Sequence, residues 1–304
     1  MHTLVIHGGA GAVTVRLRDS RRSISEFETS LGSILDAGFE ILERGGTSLD
    51  AVTRAVCMLE DDPLFNAGCG AGLAADGAAQ LDAAIMNGHD RRAGAVAALE
   101  HIKNPVLLAR RVMEKSRHVL LVGSGAEEFA LEEGMPLIPN RYLRTADRMH
   151  ELERQQHEDA ASDSSLSMQG TVGAVALDIH GNVAAATSTG GPSNKWPGRV
   201  GDSPIIGAGT YAANGVCAVS ATGQGEYFIR SVAAHHIANA VQYRGFTLEQ
   251  AARELIGNVI PALGGEGGII AVDAQGHAVM EFNTEGMSRA MRDSTGSRLV
   301  AMMR

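Results

Sequence analysis

Apolar residues at helical spacing predict several helices. Between Ile24 and Arg44 apolar side chains recur every three or four residues, and the pair Gly45-Gly46 follows as a stop signal. A second helix begins after a cap at Thr47 or Ser48 and ends before Pro63. The same criteria predict helices from Asn104 to Lys115, from Glu226 to Tyr243 and from Leu248 to Leu263.

Shorter apolar runs predict strands. They are Thr3 to Ile6, Val119 to Val122, Thr171 to Asp178, Asn182 to Thr189, Val216 to Ser220, Gly268 to Asp273 and His277 to Phe282. Two pairs of these runs are separated by Asp-x-x-Gly, at 178–181 and 273–276, which predicts β-hairpins. Hairpins mixed with helices favour antiparallel sheet covered by helices over a doubly wound parallel sheet.

One polar segment, about 141–169, interrupts this pattern. It contains almost no core-forming side chain after Leu152, and such a composition is typical of a solvated linker. The segment stops at Gly170, where the apolar run from Thr171 begins. We therefore expect a flexible linker inside a single domain.

Composition and charge exclude several classes of protein. The chain has 304 residues, 44% of them hydrophobic and 20% charged, which excludes a wholly disordered chain and a coiled coil. A formal charge of -9 is the wrong sign for gripping nucleic acid phosphates or anionic lipid. Cys57, Cys69 and Cys217 are odd in number and lack zinc-site spacing, so we expect a reducing compartment. The start of the chain resembles no signal peptide, and no apolar run is long enough to span a membrane. We therefore expect a cytoplasmic protein without membrane partners and, because of its negative charge, without nucleic acid partners.

Common catalytic motifs are absent from the sequence. HExxH, GxSxG, an EF-hand loop and a Walker A lysine do not occur. The pattern GxGxxA occurs at 70–75 and 207–212, but a turn instead of a helix follows each copy. We therefore expect no organic cofactor.

Three threonines at strand edges are the positive chemical signal. Thr171 opens one strand, Thr189 ends its hairpin partner and Thr222 ends a third strand. A hairpin brings Thr171 and Thr189 to the same rim, but a threonine hydroxyl needs a base before it attacks. An α-amino group on Thr171, with a pKa of about 7.7 to 8.0, would serve if the Gly170–Thr171 bond were cut. The plainer interpretation is that threonine is simply a good strand residue, and that Thr-Gly-x-Gly-Glu at 222–226 is a turn and helix cap.

Six segments together resemble the plant-type asparaginase and isoaspartyl peptidase branch of the N-terminal-nucleophile hydrolases. They are IHGGAG (6–11), PLFNAGCG (63–70), GTVGAVALD (170–178), TSTGG (187–191), GRVGDSPIIGAG (198–209) and TGQGE (222–226). The resemblance implies an α+β fold, a four-layer αββα sandwich of two antiparallel sheets between helical layers. It also implies one domain cut into an α chain (1–170) and a β chain (171–304), and a dimer of such αβ protomers, that is, a heterotetramer.

The resemblance assigns the reaction to the threonines. The precursor would cut itself between Gly170 and Thr171. Thr171 would then attack asparagine or a β-aspartyl dipeptide and form a β-aspartyl ester that water releases. Thr189 would hold the nucleophile, and the Thr222 hydroxyl with the Gly223 N–H would form the oxyanion hole.

Substrate and ion binding are also implied by the resemblance. Arg199 would bind the substrate α-carboxylate with Gly223 and Gly225 nearby, and Asp202 would bind its α-ammonium; an isolated Arg-x-x-Asp would otherwise be a local salt bridge. Asn66 would lie near the active site, and His7 would have a structural role. A structural sodium ion would be held by the backbone carbonyls of Leu59, Glu60, Asp62, Phe65, Ala67 and Cys69.

Two alternatives remain open from the sequence. The first is a hydrolase of the same fold that resembles glycosylasparaginase or taspase, against which stand the missing secretion signal and the IHGGAG start. The second is an unprocessed relative that binds an amino acid without turnover. Gln224, Trp196 and Asn87 depart from the residues common in the family, which bears on the balance between asparagine and β-aspartyl peptides.

Overall fold

The computed structural model describes residues 1–13, 17, 22–159 and 170–303. Their strands are β1 (Thr3–Gly11), β2 (Leu81–Asn87), β3 (Ala93–Leu99), β4 (Leu120–Val122), β5 (Val172–Leu177), β6 (Val183–Thr189), β7 (Thr210–Ala213), β8 (Cys217–Gly223), β9 (Gly267–Asp273), β10 (Ala278–Phe282), β11 (Gly286–Asp293) and β12 (Arg298–Met303). The larger sheet has the order β12-β11-β1-β5-β6-β2-β3-β4, and the smaller one β10-β9-β8-β7. Named strands of the described chain pair antiparallel except β3 with β4, which are parallel.

Helices cover the outer faces of both sheets. The helices are α1 (Ile24–Glu43), α2 (Ser48–Asp61), α3 (Pro105–Lys115), α4 (Gly123–Glu132), α5 (Ala146–Asp159), α6 (Gly225–Ser231), α7 (Ala233–Arg244), α8 (Leu248–Glu254) and α9 (Ile260–Ala262), with a π-helical turn at Leu255–Val259 and a 3-10 turn at Asn140–Tyr142. α1, α2 and α3 pack on the larger sheet, while α7, α8 and their neighbours pack on the smaller one.

Three hydrophobic cores separate the four layers. Leu4 and Ile6 of β1 face the helices, whereas Val5 between them faces the smaller sheet. In β8, Val219 faces the helices of its own side and Ala218 faces the larger sheet. Alternate residues of a strand point to opposite faces, so both sheets are buried on two sides. The expected α+β αββα sandwich is confirmed.

Most elements predicted from apolar spacing are present. Both predicted hairpins form, β5 with β6 and β9 with β10. Ser23 and Thr247 each make a capping box at the start of a helix, and Thr47 caps α2 as expected. Strands β2, β3, β7, β11 and β12 were not predicted. In β2 and β3, buried alanines and glycine give neither the alternation nor the β-branched content that marks a strand.

The linker prediction is wrong for 146–159, where α5 forms. The helix is polar, but Leu152 and Gln155 are buried, and the Arg148 Nε–H donates to the Gly70 carbonyl at 2.6 Å. Composition does not distinguish a polar helix held by a few contacts from a solvated linker. The start of the predicted linker is also ordered, since it contains the end of the 3-10 turn and the buried side chain of Leu143; its last part, 160–169, lies outside the described residues.

The helix predicted from Glu226 to Tyr243 is divided at Val232. That residue has a left-handed backbone with φ of 49°, which ends α6 and begins α7. The N–H groups of Ala234 and His235 donate to the carbonyls of Ala208 and Gly207 instead of continuing α6. Contacts with a distant loop therefore interrupt a locally favourable helix.

Over the residues placed by the structure, no helix combines the length and apolar character needed to span a bilayer.

Candidate active site

Thr171 lies where three strands converge. It directly precedes β5, which runs between β1 and β6, and only 6% of it is exposed. Its hydroxyl donates to Thr189 Oγ1 at 3.2 Å, and the Gly191 N–H donates to the same Thr189 oxygen at 2.9 Å. The hairpin thus brings Thr171 and Thr189 together, as predicted.

Thr222 approaches the same point from the smaller sheet. Its Oγ1 accepts the Thr171 N–H at 3.1 Å and the Ala10 N–H at 3.2 Å. With both lone pairs of this oxygen engaged, its proton is available for donation. Gly223 follows with φ of 150°, and a Cβ there would lie 2.5 Å from the Glu266 carbonyl. Thr222 is therefore placed to donate a hydrogen bond beside the nucleophile.

The Gly170–Thr171 peptide packs against β1 without room for a side chain. Gly9 has φ of 106°, and a Cβ on either Gly9 or Gly170 would collide with the backbone of the other. A bulge in the pairing of β1 with β11 lies at this position. The close packing explains why residue 170, directly before Thr171, is a glycine.

Asn66 holds the turn that follows Thr189. Its Nδ2 donates to the Gly191 carbonyl at 2.8 Å, its backbone carbonyl accepts the Gly190 N–H at 3.2 Å, and its Oδ1 accepts the Gly72 N–H at 2.6 Å. Since Gly191 in turn donates to Thr189, which accepts from Thr171, Asn66 is linked to Thr171 through Gly191 and Thr189.

Arg199, Asp202 and Gly225 form the predicted charged cluster. A Cβ at Gly225 would lie 2.9 Å from Asp202 Oδ1 and 3.0 Å from Arg199 Nη2, so the backbone there contacts both charges. Sequence reasoning missed the role of Glu226, whose Oε1 accepts from Arg199 Nε and Nη2 at 3.0 and 2.9 Å. This ion pair orients the guanidinium.

Asp202 is prepared to accept a cation. Its side chain is buried, and Oδ2 has no hydrogen-bond partner among the described residues. Burial raises the pKa of Asp202 to about 7, although Arg199 opposes that shift. A buried carboxylate with a free oxygen beside an arginine fits a zwitterionic amino acid headgroup.

Asp82 and Lys195 are buried charges that the sequence did not identify. Asp82 faces Thr189 in the register of β2 with β6, and its Oδ1 accepts the Ala98 N–H at 2.8 Å. Lys195 lies under Gly191, and its Nζ donates to the Gln80 carbonyl at 2.9 Å. Burial raises the pKa of Asp82 and lowers that of Lys195, and the charge of each opposes the shift of the other. Only the tertiary structure shows that they compensate each other.

The predicted sodium-binding residues lie in the last turn of α2 and in the loop that follows it. The Glu60 carbonyl accepts the Cys69 N–H at 2.8 Å and the Asp62 carbonyl accepts the Phe65 N–H at 3.1 Å. Each carbonyl oxygen keeps a second lone pair, and carbonyl oxygens are the donors that hard cations prefer. The donor set therefore fits a sodium ion.

The fold and the site together define a class. A threonine at the start of a central strand in an αββα sandwich, beside a second threonine and a charged headgroup site, is the arrangement of an N-terminal-nucleophile hydrolase.

Sequence comparisons identify the family within that class. Residues 1–302 match the family model described as asparaginase. The isoaspartyl peptidase of Escherichia coli is 48% identical, with 94% of this chain and 91% of the relative covered. The isoaspartyl peptidase/L-asparaginase of Homo sapiens is 43% identical, with 93% of this chain and 91% of the relative covered. The chain belongs to the asparaginase family.

Proposed function

We propose that the protein cuts itself before Thr171 and then hydrolyses β-aspartyl dipeptides and L-asparagine. The observation that carries the proposal is the hydrogen bond from the Thr171 hydroxyl to Thr189. Thr171 directly follows Gly170, and the peptide bond between them packs against Gly9. The names of the relatives support both substrates.

Self-cleavage supplies the base. The structure describes the uncut chain, in which Thr171 N is an amide and has no basic lone pair. Hydrolysis of the Gly170–Thr171 bond by one water molecule leaves a carboxylate on Gly170 and converts this nitrogen into an α-amine, with a pKa of about 7.7 to 8.0, on the same residue as the nucleophile. The amine then takes the hydroxyl proton.

The reaction proceeds in two steps. Thr171 Oγ1 attacks the side-chain carbonyl of the substrate, the amide nitrogen leaves with a proton, and a β-aspartyl ester remains on Thr171. Thr222 Oγ1–H and the Gly223 N–H stabilise the oxyanion, an effect of about 3 kcal/mol per donor. A water molecule then attacks the ester carbonyl, its hydroxyl joins the released aspartate, and its proton goes to Thr171 Oγ1.

The headgroup site selects the substrate. Arg199 binds the α-carboxylate on the side of Gly223 and Gly225, and Asp202 binds the α-ammonium. Both β-aspartyl dipeptides and asparagine present this free α-amino acid headgroup, whereas an ordinary α-linked aspartyl residue does not.

The Thr171→Ala variant tests the assignment. We expect this variant to fold, to remain one full-length chain and to show no turnover, whereas the wild type should be in two pieces. A denaturing gel, N-terminal sequencing and an assay of β-Asp-Leu hydrolysis compare the two proteins. A wild-type preparation that is active as one intact polypeptide, or a Thr171→Ala variant that still splits, would reject the nucleophile.

The alternatives have their own readouts. Preferential release of a sugar from N-acetylglucosaminyl asparagine would indicate a glycosylasparaginase-like enzyme, and cleavage within proteins a taspase-like one. An uncut chain that binds aspartate without turnover would indicate the unprocessed, amino-acid-binding relative.

Further expectations about the assembly remain predictions. We propose that the cleaved protomers form a dimer and that the protein is cytoplasmic. We also propose a sodium ion at the end of α2 and the loop after it, and elemental analysis of desalted protein would detect that ion. The oxygen donor set of that loop supports the ion.

A further inference from the structure

A second layer of buried polar side chains lies directly beneath the catalytic threonines, between the two sheets. On the inward face of β5 and β6, Thr171 and Thr189 are followed two residues along by Gly173 and Thr187. Residues two apart on a strand lie about 7 Å apart on the same face. His7 and Ser220 occupy the same level, and we call His7, Thr187, Thr210 and Ser220 the buried polar layer.

One hydrogen-bonded chain joins the four side chains. Ser220 Oγ lies 2.9 Å from His7 Nε2 and 2.7 Å from Thr187 Oγ1. The Thr210 hydroxyl lies 2.7 Å from Thr187 Oγ1 and 3.1 Å from the Ser203 carbonyl, and Thr187 Oγ1 lies 3.2 Å from the Gly209 carbonyl. All four residues of the buried polar layer are fully buried.

Gly173 makes room for this chain. It pairs with both His7 and Thr187 and so lies between them on the sheet. A Cβ at Gly173 would collide with Ser220 Oγ and lie 2.5 Å from His7 Nε2. A missing side chain on β5 thus lets a hydroxyl from the smaller sheet reach two strands of the larger one.

The layer is neutral and costly to bury. Burial lowers the pKa of His7 to about 3, so the imidazole carries no charge at neutral pH; the backbone of Thr171 beside the ring opposes that shift. Buried hydroxyls and imidazoles cost free energy unless hydrogen-bonded. The next level along the strands is apolar, with Val5, Val175, Ala185 and Ala218. The two sheets therefore pack through apolar side chains at that next level, whereas the buried polar layer lies at the level directly beneath the catalytic threonines.

The hydrogen-bonded side chains of the buried polar layer connect three parts of the active site. Thr187 is in the strand of Thr189, Ser220 is in the strand of Thr222, and Thr210 bonds the Ser203 carbonyl next to Asp202. The Gly209 N–H also donates to the Asp202 carbonyl at 3.1 Å. The buried polar layer thus spans the two sheets and the headgroup loop at one level.

We propose that the buried polar layer positions the catalytic threonines against the headgroup loop, with Thr187 and Thr210 as positioning residues. This inference rests on the proposed hydrolysis at Thr171. Displacement of reacting groups by about 1 Å can cost about 100-fold in rate, and a link at this level controls the separation of Thr189 from Thr222.

Isosteric removal of one hydroxyl at a time tests the proposal. Thr187→Val keeps the volume of the side chain and removes the hydrogen bonds that join β6 to Ser220 and Thr210 of the smaller sheet, so we expect kcat to fall about 10- to 100-fold with little change in KM. Thr210→Val removes the side-chain hydrogen bond to the Ser203 carbonyl of the headgroup loop, so we expect KM to rise about 10-fold with a smaller change in kcat. Thr187→Ser, which restores the hydroxyl, should recover most of kcat. Rates are expressed per cleaved β chain, and the rate of self-cleavage is measured in parallel.

Thr3→Val is the matched control. Thr3 is fully buried on the same face of β1 as His7 and donates to the Gly276 carbonyl at 3.0 Å. It lies four residues from His7 and makes no hydrogen bond to the buried polar layer. We expect this variant to lose melting temperature while kcat and KM stay at wild-type values.

The outcomes separate this inference from the proposed function. If Thr187→Val and Thr210→Val lower only the melting temperature, as Thr3→Val does, the buried polar layer is merely structural and the proposal is overturned. If Thr187→Val folds but neither cleaves itself nor turns over, positioning is supported. A wild-type chain without self-cleavage or hydrolysis would instead overturn the proposed function itself.

Discussion

At the scale of single residues, function depends on where a hydroxyl or carboxylate finds its partner. Thr171 and Thr189 are ordinary strand residues until the hairpin sets their oxygens 3.2 Å apart. Asp202 is an ordinary carboxylate until burial raises its pKa to about 7. Burial thus gives Asp202 a titration in the range where the enzyme is expected to work.

The pH dependence of kcat/KM should therefore contain two ionisations on its acidic side. Asp202 must be deprotonated to bind the substrate ammonium, and the Thr171 amine must be deprotonated to act as base. Below a pH of about 7 we expect log kcat/KM to fall with a slope of about two per pH unit, because kcat/KM reports ionisations of the free enzyme.

The Asp202→Asn variant isolates the first ionisation. It should be less active at every pH, with a slope of about one, because only the amine still titrates. A slope that stays at about two in Asp202→Asn would assign the lower ionisation to another group. The measurement is initial rate at low substrate concentration across a pH series at constant ionic strength.

At the scale of secondary structure elements, buried charges tie the loop after β6 to β2. Asp82 lies on β2 opposite Thr189, and Lys195 lies in the loop with its Nζ on the Gln80 carbonyl. Gly198 of the same loop donates to Gln80 Oε1 at 2.7 Å. This attachment fixes the start of the segment that carries Arg199.

Removing one charge of this pair should destabilise the protein more than removing both. Lys195→Met removes one of the two cations that offset the buried charge of Asp82, the other being Arg199, so we expect a loss of about 3 kcal/mol in the free energy of unfolding. Asp82→Asn with Lys195→Met should recover much of that loss. Urea unfolding of the two single variants and the double variant measures the coupling; strictly additive losses would show that the two charges do not compensate each other.

At the scale of the whole molecule, self-cleavage divides the larger sheet into strands of the α chain and strands of the β chain, and these are interleaved in the sheet. In the larger sheet β1 of the α chain lies between β11 and β5 of the β chain, and β6 of the β chain lies against β2 of the α chain. Cutting at Gly170 therefore leaves each piece without part of its sheet and core.

We expect the two pieces to stay together after cleavage. They should elute as one species in size-exclusion chromatography and unfold in a single thermal transition, and should separate only in denaturant. The uncut Thr171→Ala chain is the control for elution volume. Separation of the pieces under native conditions would contradict the intertwined sheet, because each exposed edge would have to be stable alone.

Local patterns predicted the elements that carry their own signal. Helical spacing with caps located α1, α2 and α3, and Asp-x-x-Gly turns located both hairpins, because these features depend on residues close in the chain. They did not locate the alanine-rich strands β2 and β3 or the break at Val232, which depend on distant contacts. The helix α5 was missed because its composition is polar and its few anchors are made to another part of the chain.

The sequence by itself determined the chemistry of this protein: a threonine after a glycine at the start of a strand, and an arginine three residues before an aspartate, are visible as motifs because the residue types define what can react or bind. The tertiary structure alone decided the pKa of Asp202, the charge compensation between Asp82 and Lys195, the partner of Arg199 and the buried polar layer under the catalytic threonines. Those depend on burial and on contacts between residues up to 213 positions apart, as for His7 and Ser220, and no local pattern records which distant side chains will meet.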